Sequence, residues 1–125
     1  MVSLTGIATA HPTLDALPVC PEDYTTKGRD WLVQDVAQTA ELFRSADGKD
    51  IVLTNGLVRR VFRHGTTVAF DNLMTGESVL RGVKPEAVVE IDGTPIEVGG
   101  LRGQPNYAFL LPEWLDALEP NPDAL

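Results

Sequence analysis

Cysteine occurs once, at Cys20, and histidine only twice, at His11 and His64, in a chain of 125 residues. A single thiol excludes an intrachain disulfide framework and any four-cysteine zinc site. The two histidines are far apart and no HExxH pattern is present, so no metal-ligand set is read from the sequence. Positive charge is scarce as well: ten Lys plus Arg stand against 18 Asp plus Glu, a net charge of −8. That balance argues against sequence-independent binding of nucleic acid and against attraction to an anionic membrane surface. No apolar run approaches the ~18 residues of a membrane-spanning helix. The opening "MVSLTGIATAHPTLDALPVCPEDY" lacks the basic stretch and apolar core of a signal peptide. The chain reads as soluble, with its localisation open. Ser3, Ser45 and Ser78 have no GxSxG context, and Gly99-Gly100 with Gly103 lack the strand-loop-helix setting of a phosphate loop. No motif implies a cofactor, and none is expected.

What is present is the punctuation of a β protein of one-domain size. Asp47-Gly48, Asn55-Gly56, His64-Gly65, Thr75-Gly76 and Asp92-Gly93 separate short runs rich in β-branched and apolar residues, and Asn-Gly or Asp-Gly supplies the positive φ that tight hairpins need. "DIVLTNGLVRRVFRHGTTVAFDN" predicts three strands, at about 50–54, 57–63 and 66–71. The strand at 57–63 carries apolar and cationic groups on both faces, which predicts a place near a sheet edge or under a second layer. "EAVVEIDGTPIEVGG" predicts a second hairpin, with Ala87, Val89 and Ile91 on one face. Residues 1–29, with Pro12, Pro18 and Pro21, read as an extended arm able to pack through Leu14, Leu17 and Val19. Residues 30–125 read as the β domain. "DWLVQDVAQTAELFRS" predicts two short strands, with a helix as the alternative. Pro112 followed by Glu113 to Leu118 predicts a short C-terminal helix ended by Pro120. The central Val, Ile and Phe positions are expected to form the core, with Leu110 to Leu118 covering one end.

The segment "AFDNLMTGESVLRG" raises the sharpest functional question. Its TGES resembles the loop of the actuator domain of P-type cation pumps, where the glutamate positions a hydrolytic water. That resemblance would give Glu77 the role. The chain lacks the Pro-Gly-Asp and Pro-Ala-Asp turns that accompany the loop in that family. Turn chemistry predicts instead a strand-to-strand turn, with Gly76 left-handed and Asn72 or Ser78 bonding to local backbone. Other carboxylates are plentiful, but a glycosidase pair roughly 5 to 10 Å apart is not visible in a linear sequence, and Glu90 and Glu97 read as solvated strand positions. The arginines, Arg44, Arg59, Arg60, Arg63, Arg81 and Arg102, read as partners of the surplus acids. Trp31, Tyr24, Tyr107 and Trp114 are the aromatic rings able to stack on a sugar, Trp31, Tyr107 and Trp114 foremost; Trp114, at helical spacing to Leu110, Leu111, Leu115 and Leu118, reads first as core.

Taken together, "IVLTNGLVRRVFRHGTTVAFDNLMTGESVLRG" and its continuation to about residue 118 resemble the N-terminal β-sandwich region of large bacterial glycoside-hydrolase-like proteins of the α-galactosidase type. The shared pattern is "I.L.NG.I.R.F…T..L.N..TG". The resemblance implies a mainly β chain: an antiparallel β-sandwich, a fragment of a galactose-mutarotase-like supersandwich, with the short C-terminal helix. It implies a non-catalytic accessory domain, because in that family the catalytic carboxylates belong to a following (β/α)8 barrel. Expected partners are then a catalytic domain or carbohydrate. Unpaired strand edges would invite a homodimer. A stand-alone carbohydrate-binding module, a structural or assembly domain and an actuator-like fragment of a P-type ATPase, carried by the TGES loop, are the alternatives.

Overall fold

The computed structural model describes residues 13–26 and 28–125. Residues 1–12 of the expected arm, His11 and Pro12 among them, and Lys27 lie outside the described residues. Five strands, β1 (Glu41–Arg44), β2 (Ile51–Thr54), β3 (Val58–Arg63), β4 (Thr66–Asn72) and β5 (Glu77–Ser78), form an antiparallel meander in chain order. β6 (Ala87–Ile91) and β7 (Thr94–Val98) make a separate hairpin, and β8 (Leu101–Arg102) pairs with β9 (Glu119–Pro120). The helical segments among the described residues are two 3₁₀ turns, Leu14–Ala16 and Pro112–Ala117. The chain is thus mainly β, built from several antiparallel sheets with almost no helix.

The turn dipeptides act as the sequence predicts. Asn55 Oδ1 accepts the amides of Leu57 and Val58, turning β2 into β3. His64 and Gly65 both take positive φ, 47° and 69°, as do Asp92 and Gly93, 50° and 77°, the geometry of two-residue hairpin turns. β4 carries an irregularity: pairing with β3 shifts register between Val61 and Phe62, so Val68 is the extra residue of a bulge.

Three expectations are corrected. The segment expected to hold two strands at "DWLVQDVAQTAELFRS" has only β1 at its end. Asp30 is the reason. Its carbonyl accepts Val33 and Gln34 amides and its side chain accepts the Leu32 amide, a local closure that competes with sheet pairing. Secondly, of the two places expected for β3 the edge is wrong, since it is the central strand of the five, while the other holds: Val61 lies under the buried cluster that covers the sheet. Its arginines are tolerated because Arg59 pairs with Asp71, Arg60 with Glu86 and Arg63 with Asp50. Thirdly, the Val, Ile and Phe positions are not all core. Val68, Val83, Leu101 and Leu118 form the buried cluster, with Val61, Leu110 and Leu115 packed against it. Ile51, Phe70, Val88, Val89 and Ile91 are exposed.

Cross-strand partners share a face of a sheet, which divides the meander in two. One face presents Phe43, Val52, Thr54 and Val61, and the cluster with Leu110 and Leu115 covers it. The arm adds to that cover: Tyr24 meets Phe43 edge-on at 4.9 Å between ring centroids, and Thr26 bonds to the Gly56 carbonyl. Val19 forms a parallel bridge to Arg44, while Leu14 and Leu17 are half-buried.

Candidate docking surface

The TGES segment is a turn. Asn72 Oδ1 accepts the amides of Met74 and Thr75, the Asn72 carbonyl accepts the Gly76 amide, and Gly76 takes φ +76°. Of the two residues predicted to bond local backbone, Asn72 does so. Glu77 opens β5, is exposed, and among the described residues its carboxylate accepts only the Thr75 hydroxyl, at 3.4 Å. It has no ion-pair partner among the described residues.

Several of the remaining acids are latches. Asp50 takes Arg63 in two bonds, Nε to Oδ1 at 2.6 Å and Nη2 to Oδ2 at 2.9 Å. Asp116, on the 3₁₀ turn, accepts both Lys49 at 2.9 Å and Arg63 at 2.8 Å. Those hydrogen bonds hold the Asp116 carboxyl below the usual range, and the Asp50 bonds raise the Arg63 guanidinium above its ordinary value. Asp71 is bound by Arg59, Asp123 by Arg102, and Glu97 accepts Asn121 Nδ2. Glu86 accepts Arg60, the Thr67 hydroxyl and the Thr67 amide. Arg44 and Arg81 depart from the expected acid pairing and donate to the carbonyls of Leu17 and Ala108. Among the described residues no group of three His, Cys, Asp or Glu could hold a metal ion, and no helix is long and apolar enough to cross a membrane.

Tyr24 packs on Phe43, and the other three aromatic candidates occupy separate places. Trp31 is exposed in the Asp30 turn beside exposed Leu32 and Val33. Tyr107 is exposed, with the Lys84 ammonium 5.9 Å from its ring centroid. Trp114 is half-buried and stacks obliquely on Phe109 at 5.4 Å. Two cavities flank the meander. One of about 500 Å³ lies between the arm and the covered face, with Cys20, Tyr24, Val52, Val61 and Leu115 in its walls. There burial pushes the Cys20 thiol up, partly offset by Arg59. The other, about 390 Å³, is an open groove beside Arg60, Thr67, Phe70, Lys84 and Glu86. Of the four aromatic rings only Tyr24 lines one of them; Trp31, Tyr107 and Trp114 line neither.

The largest feature is one that the candidate residues did not include. The other face of the meander carries Leu42, Ile51, Leu53, Val58 and Phe70, with exposures of 51, 38, 36, 41 and 40%. The pairings Leu42 with Leu53, Leu53 with Arg60, and Arg60 with Phe70 make it continuous across four strands. Arg60 lies 4.8 Å over the Phe62 ring on this face. A contiguous apolar face of this kind is a mark of an interaction site, whereas scattered exposed apolar residues are ordinary. The signal was present in β2, where "IVLT" is apolar toward both faces. No family model matches the chain, and neither a curated protein nor a solved structure shows significant similarity to it.

Proposed function

We propose that this chain is a non-catalytic β-sandwich domain of a carbohydrate-active enzyme, a glycoside hydrolase, which packs against a catalytic domain through its open sheet face. The observation that carries the reading is that face: Leu42, Ile51, Leu53, Val58 and Phe70 exposed together on a sheet whose opposite face is covered. The commitment of Asp50, Asp71, Glu86 and Asp116 to arginine and lysine partners supports a structural use of the acids. The carbohydrate part of the reading rests on the sequence resemblance, and the sandwich on that resemblance together with the multiple antiparallel sheets.

The gene tests it directly. Downstream of the Leu125 codon, an open frame of roughly 250 residues or more in alternating strands and helices is expected; a stop codon there overturns the reading. On the chain itself, nitrophenyl glycosides are expected to stay intact. Hydrolysis that disappears in Glu77→Gln would contradict the non-catalytic assignment.

A further inference from the structure

The β6–β7 hairpin stands apart from the docking face and has two outer edges of different character. Its turn fixes the bonding pattern. Ile91 pairs with Thr94 across the Asp92-Gly93 turn, Val89 with Ile96 and Ala87 with Val98. In antiparallel pairing, bonded pairs alternate with non-bonded ones. The intervening residues Val88 and Glu90, opposite Glu97 and Pro95, therefore direct their amides and carbonyls outward.

On β7 the outward groups are guarded in part. Pro95 has no amide to offer, and the Glu97 carbonyl accepts the Leu125 amide at 3.0 Å, while the Gly99 amide returns to the Leu125 carbonyl at 3.2 Å. On β6 nothing comparable exists among the described residues: no backbone or side-chain group bonds to the outward amides and carbonyls of Val88 and Glu90. All five β6 residues are exposed, Val88 at 62%. A strand of "AVVEI" composition, without proline or lysine, is an unprotected edge of high β propensity. An isolated two-stranded ribbon is also marginal in water, whereas four strands with an apolar face are not.

We infer that β6 is the site at which a second copy of this chain pairs, antiparallel, about a two-fold axis through Val89. The sequence is self-complementary in that register. Val88 faces Glu90 of the second copy and Glu90 faces its Val88, so the eight outward amides and carbonyls of the two facing pairs close four main-chain hydrogen bonds. Val89 meets Val89 in the non-bonded pair on the axis. Ala87 meets Ile91 on the same face, which joins Ala87, Val89 and Ile91 of both copies into one apolar surface. Glu90 is set against valine and not against its own like charge, which directly opposite would be repulsive. Shifting the axis by one residue in either direction would require the Glu86 or Asp92 backbone, but the Glu86 amide already bonds to the Val98 carbonyl and Asp92 is in the turn. The pairing uses a different surface from the proposed docking face, and each stands or falls alone.

Sedimentation equilibrium across a concentration series, with Val88→Pro as the disrupting variant, tests the pairing. The proline sits where the hairpin does not use the amide, as Pro95 does on β7, so the fold is retained, which circular dichroism checks. The wild-type chain is expected to dimerise, and the variant to do so at least about tenfold more weakly, since two of the four bonds lose a donor. Register is read by disulfide formation in a Cys20→Ser background. Val89→Cys places two thiols at a non-bonded pair, about 4.5 Å between Cα atoms, within disulfide reach. It is expected to crosslink faster than Val88→Cys, although residue 88 is the more exposed. A monomer at every concentration, a dimer indifferent to Val88→Pro, or faster crosslinking at residue 88 would overturn the proposal.

Discussion

Replacing Asp50 by alanine takes the carboxylate from a pair in which both side chains are nearly inaccessible: Arg63 is 11% exposed and Asp50 10%. Removing one partner of a buried pair strands the other charge, at a typical cost of about 3–5 kcal/mol. Arg63 keeps Asp116, but that side chain is 65% exposed, and a solvent-screened pair offsets little. The net loss should therefore lie near the lower bound, about 3 kcal/mol, a large fraction of the roughly 5–15 kcal/mol of a small domain. The double variant Asp50→Leu, Arg63→Met removes both charges and is expected to recover most of that loss. Urea titrations followed by far-UV circular dichroism measure both. A loss below about 1 kcal/mol for Asp50→Ala, or a double variant as unstable as the single one, would refute the claim that desolvation of Arg63 sets the cost.

Three further outcomes are expected. Gly99→Ala should destabilise by about 2–4 kcal/mol, because a Cβ there would stand 2.2 Å from the Gly65 carbonyl oxygen at φ +63°; Gly76→Ala, with no atom within 4 Å, should cost only the left-handed backbone, about 1–2 kcal/mol. Equal losses in denaturant midpoints would show that the contact does not matter. Asp116 is lowered by Lys49 and Arg63, and Asp47 by Ser45 and the Lys49 amide, each from an ordinary value of 3.8. The unfolded chain thus protonates first: their stabilisation is complete above the ordinary value and lost as pH falls through the folded one. Melting temperatures should be level from pH 7 to about pH 5 and fall below about pH 4, and a fall beginning near pH 6 would point to other groups. Finally, with burial raising the Cys20 thiol, its reaction with a disulfide reagent at pH 8 should be several-fold slower in the folded chain than in urea; equal rates would place the thiol in water.

How much of this was legible in the sequence depends on how local the deciding interaction is. The hairpins at Asn55-Gly56, His64-Gly65 and Asp92-Gly93 were readable because two residues set the turn and the turn sets the register. The Thr75-Gly76 turn was readable for the same reason, down to Asn72 as an acceptor. Asp30 was misleading because one side chain and one carbonyl collapse "DWLV" into a turn that composition alone would allow to be a strand. The faces of the meander were illegible for a different reason. "IVLT" and "VRRVFR" carry apolar residues on both sides, and which side is covered depends on Val83, Leu101 and Leu110 to Leu118, far along the chain. The docking face follows from that choice, so it could not be named from β2 or β3 alone. Trp31, Tyr107 and Trp114 were visible as rings, while their separation in space was not.

The guarding of strand edges gives the molecule a pairing valence. On the β1 side the arm covers the end of the strand, with the Arg44 amide and carbonyl bonded to Pro18 and Cys20. On the β4 side Glu86 fills the place of a neighbouring strand at the Thr67 amide. β5, β8 and β9 are each two residues long, too short to template a partner. With one open edge of useful length among the described residues, addition of a strand can happen once and then has nowhere to continue. Such a chain can form a closed pair, and among the described residues no second edge as long and as open as β6 is left from which a fibril could grow.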